Sequence, residues 1–447
     1  MIISQRAQTL LSELNQQGYE AFVVGGCVRD MLMGIPPHDY DITTSATPDE
    51  VKRVFRNYRV IETGLKHGTL TVLVDGEPFE ITTYRIESTY SDSRHPDGVQ
   101  FTRSLIEDLA RRDFTVNAIA YNPCVGLVDP FGGQVDIQNR ILRCVGNPYE
   151  RFSEDALRIF RLIRFASVLD FQIDLPTAEA AFFLKEKLVH ISAERVQVEL
   201  CKLLCGKAAG KIITEYVDIL SVVIPELLPM KDFDQRNPHH CYDLLTHTAK
   251  AVDSVSCDKV LRLGALFHDI GKAAVFSLDE DDIGHFYSHA SVGQQMTEEI
   301  LNRLKFDNAT KYTVVRLVKW HDIQIETTEK AVKRALGKMT PEFFFMLLLL
   351  KRADNLAQNP AYTERQSDYD RLEWLAKDIL ARQVCFSLKD LAVNGNDLAV
   401  IGIKPGKTMG RILNKLLDCV IQEKIPNEKD LLLNKAKELE KDEANEN

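Results

Sequence analysis

The apolar residues of this chain change their spacing near residue 150, and that change bounds the folds open to it. Before it, short apolar runs alternate with turn residues, the texture of strands. After it, apolar residues recur three and four positions apart, the texture of helices packed on one another. The expected fold class is therefore α+β: a small mixed-sheet head followed by a long all-α region. The 447 residues agree, since they amount to about three or four domains at roughly 100–200 residues each.

In the head, Ala21–Val24 reads as a strand closing on Gly25-Gly26, Val28–Met33 as a helix start and Tyr40–Thr43 as a second strand. Thr69–Val74 and Phe79–Arg85 read as a hairpin turned by Asp75-Gly76, a strong two-residue turn signal. The N-terminal stretch reads as an amphipathic helix with Leu10, Leu11 and Leu14 on one side. It lacks the basic segment and long apolar core of a signal peptide. Pro225, Pro229 and Pro238 mark one boundary, and Asn355–Tyr362 a second. The expected divisions are a head at 1–145, a helical neck at 146–235, a third domain at 236–358 and a helical tail at 359–447. Glu438–Asn447 is polar and is expected to fray. There is no internal repeat.

The formal net charge is −10. That excludes a simple basic coat for nucleic acid, whose binding comes from positive charge spread over its surface. A localised basic groove remains open. Residues 1–150 hold twenty acidic against fourteen basic residues, so most of the surplus lies where carboxylates would hold metal ions. The longest apolar run, Phe343–Leu350, is short of the roughly 20 residues that cross a bilayer. It reads as a buried helix, and no membrane partner is expected. Nine scattered cysteines with no CxxC pair suit reduced thiols in a cytoplasmic protein.

The chemistry of the head starts at Val24-Gly25-Gly26-Cys27-Val28-Arg29-Asp30. Two glycines after a strand let backbone approach a phosphate, and a following helix points free N–H groups there. Arg29 can fork onto phosphate oxygens. Asp39 and Asp41 are two apart, which on a strand puts both carboxylates on one face. Paired hard oxygen ligands suit Mg²⁺ together with substrate phosphates. Glu80, on a neighbouring strand, is the expected third acid.

GGCVRDMLMG followed by DYDITTSATP resembles the opening motif of the nucleotidyltransferase superfamily, in its class II tRNA nucleotidyltransferase and bacterial poly(A) polymerase branch. Residues 79–101 (FEITTYRIESTYSDSRHPDGVQF) resemble that family's flexible segment, 108–118 (DLARRDFTVNA) its second motif and 129–136 (DPFGGQVD) its third. Residues 151–165 (RFSEDALRIFRLIRF) resemble its base-reading helix. The resemblance implies template-independent addition of the 3′-terminal CCA of tRNA from CTP and ATP, with Mg²⁺ at Asp39 and Asp41 and release of pyrophosphate. It implies nucleotide contacts from Gly25, Gly26, Arg29, Arg112, Asp113 and Asn117. It also implies that Asp155 and Arg158, one turn apart on one helical face, imitate a Watson–Crick edge and choose the base. Arg161 and Arg164 continue that face toward phosphates. The RHPDGVQF segment favours addition of the final A over a CC-only activity.

A second constellation lies between residues 239 and 356, which hold seven of the eleven histidines. His268-Asp269 ends the apolar run Leu263–Phe267, His247 lies some twenty residues earlier, and Asp354 closes the helix from Phe343. Imidazole and carboxylate together suit a divalent metal. His247, His268-Asp269 and Asp354, with the local sequence HDIGK, resemble the HD superfamily of metal-dependent phosphohydrolases. His289 and His321 match that family's additional histidines, which implies room for a second ion and phosphatase or phosphodiesterase chemistry on RNA ends. In the tail, Lys404, Lys407, Arg411 and Lys415 gather around Pro405-Gly406 and a helix start, a grip for tRNA phosphates.

Three alternatives stand beside CCA addition. One is A-only tRNA addition or poly(A) synthesis, which shares every head motif. Another is an HD-type hydrolase with an RNA-binding head. The third is a non-catalytic tRNA-binding protein, which sits poorly with two complete metal constellations. DNA is not an expected partner, and the oligomeric state is open.

Overall fold

The computed structural model describes residues 1–87, 99–362 and 365–445. It divides into two compact units, Met1–Leu228 with Arg303–Phe306, and Pro229–Asn302 with Asp307–Asn447.

The first unit is built on β1 (Ala21–Val24), β2 (Asp41–Thr44), β3 (Arg59–Gly64), β4 (Thr69–Val74) and β5 (Glu77–Thr83). After them come β6 (Arg85–Glu87), β7 (Val99–Phe101), β8 (Ala120–Asn122) and β9 (Gly126–Val128). Seven of these form one sheet in the order β3-β4-β5-β2-β1-β8-β9, while β6 and β7 pair separately. Only β2 and β5 run parallel within that sheet. All four residues of β1 are buried, as befits a strand inside the sheet. The expected turn forms at Asp75 (φ 51°) and Gly76 (φ 84°), the positive-φ pair that a two-residue hairpin demands.

The boundaries differ from expectation in small ways that matter. The second strand starts at Asp41 rather than Tyr40, so Asp39 lies in the approach to it. The helix after β1 begins at Gly26, with Gly25 as its N-cap at φ 81°. Strands β3, β8 and β9 have runs too short or too polar to stand out in the sequence. The N-terminal helix, Gln5–Gln16, buries Ala7, Leu10, Leu11 and Leu14, and the Ser4 hydroxyl accepts from the Ala7 amide.

The rest of the first unit is largely helical. Helix Leu157–Leu169 buries residues on nearly every side, Arg158 and Arg164 among them. A helix covered all round must find partners for any charge it carries.

The second unit is helical apart from the small hairpin Ser277–Leu278 with Gly284–His285. Helices Leu244–Ser254, Lys259–Phe267, Asn308–Trp320 and Pro341–Leu356 make its central layer. The apolar run of the last forms the buried helix expected, with Phe343, Phe344, Leu347, Leu348 and Leu350 inside. The tail helices Gly395–Val400, Lys407–Ile421 and Lys429–Asn445 enclose a core of Leu398, Ile403, Ile412, Leu416, Leu432 and Ala436. The polar segment from Glu438, expected to fray, is helical as far as Asn445. Buried Leu432 and Ala436 anchor it, and Lys435 bonds Glu438 at 2.7 Å. Among the described residues no helix is long and apolar enough to cross a membrane, and no disulfide joins the cysteines.

Candidate active sites

The parallel pairing of β2 with β5 sets Asp41 directly opposite Glu80. Opposed residues of paired strands project from the same face, so the third acid stands beside the first two. Asp39, just before β2, is exposed. Asp41 is reached by solvent from one side, yet its carboxyl is pushed up to about 6. Partial withdrawal from water is the main cause; Arg112 opposes it, and Asp39 and Glu80 add repulsion. A carboxylate whose ionisation is opposed by two neighbouring acids suits a divalent cation, which relieves the repulsion.

Gly25 stands at the edge of this group. A Cβ there would lie 3.1 Å from the Arg112 guanidinium, and its φ of 81° is one that side chains resist. Behind it runs a chain of polar contacts. Arg29 donates to the Asn117 side-chain oxygen at 2.7 Å, and the Asn117 amide donates to Asp113 at 3.1 Å. Arg161 donates to the other Asp113 oxygen through Nε at 2.9 Å and Nη2 at 2.5 Å. Burial works against the Asp113 charge, but Arg161, Asn117 and the Phe114 amide overcome it and lower its pKa to about 2. The Phe165 ring lies between Arg29 and Arg161, 5.3 Å from each guanidinium.

The expected base-reading helix is broken. Helix Pro148–Glu154 ends at Asp155, whose φ of −135° is extended, and the next helix starts at Leu157. Asp155 and Arg158 therefore do not share one continuous helical face. Asp155 caps the Leu157 amide at 3.0 Å and receives Arg195 at 2.8 and 3.5 Å. Arg158 bonds Glu154 at 2.5 Å and the carbonyls of Arg151 and Arg111 at 3.1 and 3.0 Å. Arg164 is 8% exposed and bonds Glu199 at 2.7 Å. It lies inside the unit rather than on an open phosphate track. Arg195 and Glu199 were not found in the sequence, because nothing near them marks them; only a complementary charge some forty residues away does.

In the second unit the six expected ligands meet. His247, His268, Asp269 and Asp354 form one group, and Asp269, His289 and His321 another, each with its ligand atoms within 4.8 Å of one another. Asp269 belongs to both, with Oδ2 3.3 Å from the Nε2 atoms of His247 and His268 and Oδ1 3.4 Å from that of His321. Every ring is oriented from behind. The Nδ1 atoms of His247, His268, His289 and His321 face the carbonyls of Ala357, Ala265, Phe286 and Val318 at 2.6–3.1 Å. That leaves each Nε2 turned inward as an acceptor. The Nε2 atoms of His247 and His268 are 3.2 Å apart, and those of His289 and His321 3.1 Å. Facing lone pairs need a proton or a metal between them. The donor set fits two divalent ions sharing Asp269.

Gly271 makes this meeting possible. A Cβ on it would lie 2.4 Å from the His289 carbonyl and 2.6 Å from the Gly293 amide. The turn after Asp269 thus reaches the start of helix His289–Arg303. Lys272, also passed over as a site residue, is 5% exposed and sits 2.6 Å from Asp269.

The tail cations flank the start of helix Lys407–Ile421, with Lys404, Lys407 and Arg411 exposed and Lys415 half-buried. Most of the RHPDGVQF segment lies outside the described residues.

With this geometry in hand, comparisons place the chain. Residues 21–143 match the poly A polymerase head domain, 170–231 the probable RNA- and SrmB-binding site of polymerase A, and 279–436 the second tRNA nucleotidyltransferase domain, a putative one. The CCA-adding enzyme of Ligilactobacillus salivarius is 35% identical, covering 97% of this chain and 96% of its own. The chain belongs to the CCA-adding enzyme family. The relative from Levilactobacillus brevis is 36% identical with 96% of both covered. The Bacillus stearothermophilus CCA-adding enzyme, solved in complex with CTP, aligns over 99% of both chains with a TM-score of 0.74 and 28% identity. That of Thermotoga maritima, solved with tRNA, shares the fold at a TM-score of 0.59 and 20% identity. Asp39, Asp41 and Glu80 lie within the matched head domain.

Proposed function

We propose that the protein builds or repairs the 3′-terminal CCA of tRNA from CTP and ATP. The observation that carries this is the placement of Asp41 opposite Glu80 with Asp39 alongside. Asp39 and Asp41 would hold Mg²⁺, with Glu80 completing the group. A divalent ion bound there supplies neutralisation of the triphosphate and an easier ionisation of the attacking hydroxyl. The RNA 3′-hydroxyl gives its proton to solvent, its oxygen bonds to the α-phosphorus, the bond to the bridging oxygen breaks, and pyrophosphate leaves with that electron pair. Gly25 and Gly26 let backbone approach the triphosphate. Arg29, Arg112, Asn117 and Asp113 position the nucleotide, and Asp155 and Arg158 read its base. Arg161 and Arg164 hold that reading site in place through Asp113 and Glu199. Lys404, Lys407, Arg411 and Lys415 would meet tRNA phosphates.

Pure protein, Mg²⁺ and tRNA ending before its CCA test this. Supplying CTP and then ATP should extend the RNA by C, C and A in turn. Absence of any incorporation sinks the reading, and repeated A addition without C moves it to poly(A) synthesis.

A second activity is favoured by the four inward-facing imidazoles around Asp269. Divalent ions held there supply an activated water for phosphoester hydrolysis. Hydrolysis of phosphomonoesters and cyclic phosphates by the metal-loaded protein supports it. Inertness toward the whole panel with each of Mg²⁺, Mn²⁺, Ni²⁺ and Zn²⁺ retires it.

A further inference from the structure

The cleft in front of the second metal group has a volume of about 360 Å³ and a strongly polar lining that includes Asp269, Lys272, His289 and Tyr287. It is of the size that holds a small ligand. Tyr287 is 73% exposed. Lone exposed aromatics are ordinary, but this one is held. Its ring lies parallel to that of His285, at 7° and 5.4 Å between centroids, within the range of offset stacking. His285 is itself fixed by Asp279 at 2.7 Å and by the hairpin that pairs Ser277 with His285. With His285 on one face, the exposure of Tyr287 leaves its other face open.

We propose that Tyr287 on His285 is a shelf for a nucleobase, so that the second centre binds nucleoside phosphates. This rests on the reading of the histidine–aspartate group as a metal centre. Tyr287 precedes the ligand His289 by two residues, a span of at most about 7 Å. A base on the shelf therefore brings a phosphate of the attached ribose toward Asp269. Lys272 supplies a fixed ammonium on the cleft floor, 2.6 Å from Asp269, which suits an anion there. Stacking uses the flat face that every base has, so the shelf accepts any base.

The test uses the full chain loaded with Zn²⁺ and 2-aminopurine, whose fluorescence falls on stacking. The base is offered in two forms, a free riboside 5′-methylenephosphonate and a trinucleotide ending in 2-aminopurine 3′-phosphorothioate. These separate a free nucleotide from an RNA end. Bound metal is counted on the same samples. Wild type should quench, Tyr287→Ala should bind about tenfold more weakly with unchanged metal content, and Tyr287→Phe should match wild type. The His268→Ala/Asp269→Ala protein reports binding elsewhere and should show only that background. Equal affinity in Tyr287→Ala and wild type overturns the shelf, as does undiminished quenching in the double variant. A wild type that carries no bound metal overturns the metal centre, whereas a metal-loaded wild type whose quenching does not depend on Tyr287 overturns the shelf alone.

Discussion

Arg195 holds Asp155 by both carboxylate oxygens, with Nη2 2.8 Å from Oδ2 and Nη1 3.5 Å from Oδ1. Asp155 sits in the break between two helices, so its backbone gives it less support than a mid-helix residue would have. The guanidinium supplies that support from helix Ala193–Leu204. If Asp155 reads a base, Arg195 fixes the direction in which its acceptors point.

Arg195→Ala should therefore weaken the choice between CTP and ATP at each position by about tenfold, the worth of a charge-assisted hydrogen bond. The turnover rate with the correct nucleotide should change much less. Misincorporation is read by sequencing the extended tRNA. Arg195→Lys should restore part of the selectivity. Unchanged selectivity in Arg195→Ala would show that Asp155 needs no such clamp, whereas unchanged selectivity in Asp155→Ala would remove its base-reading role altogether.

Asp39→Ala combined with Asp41→Ala should lower CCA addition by at least about a thousandfold. The melting temperature should hold or rise, because the substitutions relieve the repulsion that the ionised Asp41 suffers from its acidic neighbours. Single-turnover extension of tRNA measures this. Addition that survives would move the metal elsewhere.

Asp113→Asn tests the polar chain behind the site. The folded pKa of Asp113, about 2, is below its unfolded value of about 3.9. Its stabilisation is therefore complete above about pH 4 and is lost as pH falls through 2. The difference is worth about 2–3 kcal/mol, or roughly 5–10 °C in melting temperature at neutral pH. The gap between variant and wild type should close toward pH 2. A gap that persists unchanged at pH 2 would mean that the charge on Asp113 is not its source.

His268→Ala combined with Asp269→Ala should abolish metal binding in the second unit and leave CCA addition unchanged. Metal content is measured by atomic emission after exhaustive dialysis. Loss of addition from a variant whose melting is preserved would contradict two independent sites.

Much of this was legible because the informative residues are close in sequence. Asp39-x-Asp41 and HDIGK are local signatures, and Glu80 followed from expecting one acid on an adjacent strand. In the second group, imidazole beside carboxylate at an apolar helix end draws attention to His268-Asp269, and the resemblance to the HD superfamily supplies His289 and His321. What was missed has the opposite character. The break at Asp155 lies within an unbroken helical pattern, and comes from the capping of Leu157 together with the distant pull of Arg195. Glu199 is an ordinary acid on an ordinary helix until Arg164 is buried against it. The C-terminal polar run was expected to fray because its composition says nothing of Leu432 and Ala436, which hold the helix down.

The register of β2 against β5 carries a last consequence. Asp41 meets Glu80 because Ile42, Thr43 and Thr44 meet Ile81, Thr82 and Thr83. A slip of one residue would turn every side chain of a strand to the other face, sending one acid away from its neighbour and Ile42 out of the core. On the proposed reading, the metal group therefore exists only in molecules with this pairing, so the register of one pair of strands decides whether the acids can act together.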